Sequence, residues 1–232
     1  MAVRDNKKTK PHFLGHRMRL TSRIVSAKPG AIPDYELLEF LLFYSHLRRD
    51  VKGLAKVLIR TFDGFHNVFG AQVSELKQVD GINDSAIAII KVIKESSKLM
   101  LSPTITKKPV LDSWSAVLDY LRVAIGSSST ENFCVLFLDK KFRLIESEIQ
   151  DYGTLDQIAV YTREIVKKAL SVGAFGVLIS HNHPSQECKP SHADIRLTER
   201  LQCAFSAVGI DLIDHVIVTF DDHFSFASNG LL

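Results

Sequence analysis

The apolar residues of this chain change their period once, and that change limits the folds open to it. From Pro33 to about Met100 they recur at spacings of three and four: Leu37, Leu38, Leu41 and Leu42, then Leu54, Val57 and Leu58, then Ile87, Ile90, Val92 and Ile93. "PDYELLEF" sets Pro33 and Asp34 at a helix start, and Gly64, Gly70 and Gly81 fall between the later helical segments. The spacing predicts an all-helical domain over residues 13–100. Between Leu101 and Asp112 the periodicity stops in "LSPTITKKPVLD", whose two prolines and two lysines read as a linker over residues 101–112. Beyond it, "NFCVLFLD" and "FRLIESEI" read as strands joined at Lys140 and Lys141, and "AFGVLIS" and "DLIDHVIVTF" as two more. "YTREIVKKALSVG" and "SHADIRLTERLQCAFSAVG" read as helices closed by Gly173 and Gly209. Strands alternating with helices predict an α/β layer structure with a mixed sheet over residues 113–232.

Composition narrows the class. At 232 residues the chain has room for two small domains, each with its own core. "ELLEFLLFY" is far short of the roughly 18 apolar residues of a membrane span. The basic start lacks the apolar core of a signal peptide, so a cytoplasmic location is the expectation. Cys134, Cys188 and Cys203 are odd in number and irregularly spaced, against a disulfide framework. A net charge of +3 does not diagnose nucleic-acid binding. Its distribution says more: residues 1–28 hold four lysines and four arginines against one acid, Asp5. Residues 1–12 read as a basic, disordered arm, solvated or in contact with phosphate.

"SELKQVDGINDSAIAIIKVIKES" has the layout of a helix-hairpin-helix, whose turn can offer backbone N–H groups to a DNA phosphate. Asn83 stands where such hairpins carry a second glycine, and a left-handed Asn83 would preserve the turn. Ile87 stands where they carry a small residue, and a packing module without a nucleic-acid role is the equal alternative.

The chemistry concentrates in "LISHNHPSQECKPSHADIRL". His181 and His183 lie two apart at the end of an expected strand, so both project to one face, from which two imidazoles can reach one zinc ion. Asp194, in the first turn of the next helix, can supply a third ligand and leave a position open for water. The competing reading is a capping box, S-x-x-D, in which Ser191 and Asp194 serve only the helix end.

"HNHP" followed by "PSHAD" fits H-x-H-P-x6-S-x-x-D, and on it the chain resembles the JAB/MPN (JAMM) metalloproteases. Within them it looks like a RadC protein: "GHRMRL", "PDYELLEFLLF", "RRDVKGLAKVLI", "ENFCVLFLD", "REIVKKAL" and "FSFASNGLL" resemble RadC segments in order, over about residues 13–232. The resemblance implies a three-layer αβα domain of cytidine-deaminase-like architecture behind a helix-hairpin-helix-like domain. It implies zinc held by His181, His183 and Asp194, with Ser191 helping to stabilise an oxyanion. It places the catalytic glutamate at Glu131, although Glu146 and Glu148 compete from the sequence alone. The implied activity is cleavage of a peptide or isopeptide bond by a zinc-activated water, with a protein or peptide as substrate. The alternative is a DNA-repair-associated protein or metal-dependent nuclease, touching DNA through the helical domain and basic arm. A zinc deaminase is disfavoured, since it needs H-x-E and P-C-x-x-C. The loop departs from the usual "HNHPSGDPxPS" in Gln186, Glu187, Cys188 and Lys189, and Cys188 is either a further metal-reaching or oxidisable thiol or an ordinary loop cysteine.

Overall fold

Most of the apolar stripes find a covering layer, though Leu37 and Val92 stay exposed, and which layer a stripe finds decides the architecture. The computed structural model describes residues 15–47, 49–151 and 158–232, leaving aside the side chains at 103–107, 111, 151 and 158–161. The basic arm expected over residues 1–12 lies outside them. The described chain divides into a unit ending at Val68 with Val73–Ile90 added, and a second formed by Phe69–Gln72 and Lys91–Leu232.

The first unit is helical: α1 (His16–Ser26), α2 (Asp34–Leu42), α3 (Lys52–Thr61), most of α4 (Phe65–Gly70), α5 (Val73–Leu76) and the start of α6 (Asp84–Lys107). Leu20, Leu38, Leu42, Leu58, Leu76 and Ile90 are buried in it, as the spacing requires. The helix–turn–helix layout around Gly81 is present, with Gly81 at φ 89. Asn83 plays a different part from the left-handed one expected of it. Its Oδ1 accepts from the Ala86 N–H at 2.8 Å and caps α6, while its Nδ2 donates to the Ser45 carbonyl. Ile87 is buried in the core.

Residues 101–112 are not the linker their composition suggested. α6 continues to Lys107, and Val110 is wholly buried in the second unit. A proline takes one hydrogen bond from a helix, and the long run of α6 before Pro103 lets it continue about one turn further, to Lys107. The division between the units falls after Ile90, inside α6.

The second unit is an α/β domain. Its five strands are β1 (Asn132–Leu138), β2 (Leu144–Asp151), β3 (Gly176–Asn182), β4 (Asp211–Val218) and β5 (His223–Ser225), in the order β2-β1-β3-β4-β5. β3 and β4 are parallel and the other pairs antiparallel, so the sheet is mixed. Alternation sorts the side chains to two faces. Cys134, Leu136, Leu178 and Val216 pack under α7 (Trp114–Leu121), while Phe133, Val135, Val177 and Ile179 pack under α8 (Ile158–Ser171) and α9 (His192–Ser206). The result is the three-layer arrangement expected of it. β1 and β3 are buried along their whole length because helices cover both faces, which is why they read as continuous apolar runs.

Candidate metal centre

Strand register builds the site. β1 and β3 run antiparallel with Phe133 opposite His181, which brings Glu131, just before β1, to the same end of the sheet as His183, just after β3. His181 shares the face of Val177 and Ile179, toward α9, whose first turn carries Asp194. His181 Nε2 lies 3.0 Å from His183 Nε2 and 3.4 Å from Asp194 Oδ1, and His183 Nε2 lies 3.5 Å from Asp194 Oδ2. With Glu131 these form a group whose ligand atoms all lie within 4.8 Å of one another.

The donor set fits a small divalent metal. Four bonds of 2.0–2.1 Å in a tetrahedron place neighbouring ligand atoms about 3.3 Å apart, and the three separations straddle that value. His183 Nδ1 lies 2.8 Å from the Glu187 carbonyl, which can only accept, so Nδ1 carries the hydrogen and Nε2 the lone pair. A lone pair and a carboxylate then converge where no group offers a hydrogen. The same demand shows in proton affinities. A proton taken up at His183 Nε2 would be shared with the Asp194 carboxylate, and this raises the His183 pKa. Burial alone would raise that of Asp194, yet the imidazoles of His181 and His183, which can donate to it when protonated, outweigh burial and hold it well below the usual range. Burial raises that of Glu131, the direction that suits a proton acceptor working near neutrality.

The capping box of Asp194 is formed, and the same carboxylate stands beside both histidines. Ser191 Oγ accepts from the Asp194 N–H at 3.2 Å, and Asp194 Oδ2 accepts from the Ser191 N–H at 2.7 Å. The box orients the carboxylate, leaving Oδ1 toward His181. Ser191 is exposed at the helix start and its hydroxyl hydrogen is not used by the cap; His192 is exposed beside it.

The "QECK" loop has its own logic. Gln186 sits at φ 61, the left-handed conformation that a glycine would take without strain. Its side chain offsets that strain by donating to the Gly126 carbonyl at 3.3 Å and accepting from the Phe220 N–H at 3.2 Å. Cys188 Sγ faces Thr219 Oγ1 at 3.5 Å and stands outside the four-residue group. Burial raises its pKa, so the thiolate that metal or oxidant needs is disfavoured. Glu146 pairs with Lys168 and Glu148 accepts from Gln150, both on β2 and outside the group.

Sequence reasoning passed over three buried polar residues. Asn182, between the two histidines, is wholly buried; its Oδ1 accepts from the Asn132 N–H at 2.7 Å, and its Nδ2 donates to the carbonyls of Thr130 and Ser128 at 3.1 and 3.2 Å. It therefore grips the peptide groups on both sides of Glu131. His215, on β4 opposite Ile179, and Thr198, one turn after Asp194, lie behind His181. Burial pushes the His215 pKa well down. Its signal was present: a histidine inside the apolar run of "DHVIV".

A mixed sheet between helical layers, with a histidine pair at a strand end and an acid at the next helix start, defines a JAB-type domain. The model of the RadC-like JAB domain matches residues 111–231. A UPF0758 protein of Ruegeria pomeroyi is 40% identical over 217 residues, 94% of this chain and 97% of its own length. A UPF0758 protein of Rhodobacter capsulatus is 39% identical over 213 residues, 92% of this chain and 100% of its own. The chain belongs to the RadC family.

Proposed function

We propose that the protein is a zinc-dependent hydrolase that cleaves a peptide or isopeptide bond in a protein or peptide substrate. The observation that carries this reading is the convergence of His181, His183 and Asp194 at near-tetrahedral separations beside the half-buried Glu131. Two imidazoles and a carboxylate suit zinc, and three protein ligands leave the fourth position open. Zinc held there by His181, His183 and Asp194 would supply a Lewis acid and would lower the pKa of a coordinated water toward about 7. Glu131 takes the proton of the attacking water and passes it to the leaving amine. Asn182 holds the peptides flanking Glu131, so that carboxylate meets the reacting atoms already oriented. The free hydrogen of Ser191 donates to the oxyanion as it develops.

Metal analysis tests the ligands: His181→Ala, His183→Ala and Asp194→Ala proteins each lose zinc, and retained zinc in any of them removes that residue from the set. Glu131→Ala keeps zinc and loses turnover, so this variant, used to trap bound protein in cells, reports the substrate. A metal-retaining Glu131→Ala protein with an unaltered rate moves the base elsewhere.

A nucleic-acid contact by the helical unit is a separate proposal, favoured by the Arg49 guanidinium lying beside the left-handed Gly81 turn at the head of α6. It requires DNA affinity that falls steeply with salt and is weakened by Arg49→Ala.

A further inference from the structure

The hydrogens behind His181 can be placed one after another. Thr198 Oγ1 lies 2.7 Å from the Asp194 carbonyl oxygen, its partner one helical turn back. A carbonyl only accepts and a hydroxyl has one hydrogen, so Thr198 donates to Asp194. Turning that hydrogen elsewhere would leave two oxygen lone pairs facing each other at hydrogen-bond distance. Thr198 Oγ1 also lies 2.6 Å from His215 Nδ1, and with its hydrogen spent it must accept there. His215 Nδ1 therefore carries a hydrogen. His215 is wholly buried and flanked by Phe133 and Phe226, where a second ring hydrogen would be a buried charge, so its Nε2 bears a lone pair. His181 Nδ1, 2.8 Å from that nitrogen, donates to it. The Nε2 of His181 is then left with a lone pair aimed at His183 and Asp194.

We propose that Thr198 and His215 are positioning residues of the metal centre, which through this chain of hydrogen bonds hold His181 in the tautomer whose Nε2 is free to ligate. The inference deepens the proposed function and rests on its reading of the cluster as a metal site. The arrangement is rigid. Phe226 stacks on the His215 ring at 4.5 Å between centroids, and its N–H donates to the His215 carbonyl at 2.9 Å. Neighbouring Asp214 accepts from Ser225 Oγ at 2.5 Å and from the Ala227 N–H at 2.9 Å, tying the last turn of the chain against β4. Because Thr198 and Asp194 share α9, one helix carries a ligand and also the group that selects the tautomer of another. Outer hydrogen bonds of this kind typically change metal affinity about 10- to 100-fold.

The test compares Thr198→Val, which keeps the shape and removes the hydroxyl, with Thr198→Ser, which keeps the hydroxyl. Imidazole nitrogen shifts, read by NMR on metal-free protein at one fixed pH, report the tautomer; competition with a chromogenic chelator reports zinc affinity. Wild type and Thr198→Ser are expected to show His181 with its hydrogen on Nδ1 and to bind zinc alike. Thr198→Val is expected to show mixed tautomers and an affinity about 10- to 100-fold lower. Unchanged tautomer and affinity in Thr198→Val overturn the inference, and so does an equal loss in Thr198→Ser. Should Thr198→Val not fold, Thr198→Ala serves the same comparison. A wild-type protein that binds no zinc overturns the proposed function instead, and the tautomer readout alone then decides between a fixed and an unfixed His181.

Discussion

Two groups of buried polar side chains, one in each unit, obey opposite rules. In the helical unit α2 turns Glu36 and Glu39 inward, 6% and 0% exposed, and each meets a cationic or donor partner from α1: Arg23 at Glu36, and His16 Nε2 at 2.7 Å from Glu39 Oε1. Donors and acceptors come from the same unit, and the helices close on them. In the α/β unit, His181 and Asp194 are as deeply buried, 1% and 4% exposed, yet what converges between them is acceptors. Burial of polar atoms costs free energy unless a partner answers them. The first group meets its charged and donor partners within the fold, with Glu39 Oε2 alone of the four carboxylate oxygens left without one, and the second has the donor set that a cation could answer.

The comparison breaks most sharply if an unanswered charge is put into the α/β unit where no cation is called for. Asn182→Asp would set a carboxylate against the Ser128 and Thr130 carbonyls it now donates to, and a loss of about 3–5 kcal/mol in unfolding free energy is expected from denaturant titration. Next comes the metal itself. At a zinc concentration one hundred times its dissociation constant, wild type should gain about 2.7 kcal/mol, seen as a higher denaturant midpoint, while His181→Ala gains nothing. In the helical unit, His16→Ala should cost about 2 kcal/mol, below the figure for a fully enclosed pair because His16 is partly exposed. The double variant His16→Ala/Glu39→Leu should recover part of that loss, and zinc content should be unchanged in both. A zinc loss in either would mean that the two groups are coupled. The smallest effect is expected at Gln186→Gly, where relief of the left-handed strain offsets two lost hydrogen bonds and the net change stays within about 1 kcal/mol.

How much of this was legible depended on whether a signal was periodic or relational. The strand alternation that sends Val177, Ile179 and His181 to one face is written in the local sequence, and so are the capping box at Ser191 and the glycines at 173 and 209. Pro103 misled because a local breaker was weighed without the long helix that precedes it, and β5 is only three residues, too short to show a period. The bridge from Thr198 through His215 to His181 was invisible for a different reason. It depends on β4 lying parallel to β3 in a register that sets His215 opposite Ile179, and no spacing along the chain records that pairing. The same holds for Asn182, whose partners stand 50 and more positions away.

The stacking of Phe226 on His215 bears on timing as well as geometry. As the chain emerges during synthesis, both histidines and the carboxylate are present well before the residue that seats the ring behind them. Glu131, His181, His215 and Phe226 must all be in place, and contacts as remote as Glu131 to His181 carry a loop-closure cost that precedes their reward. The centre should therefore gain its full grip on metal only when the last strand and turn have docked. A pulse of zinc given to the refolding protein should be captured with the slowest folding phase rather than ahead of it.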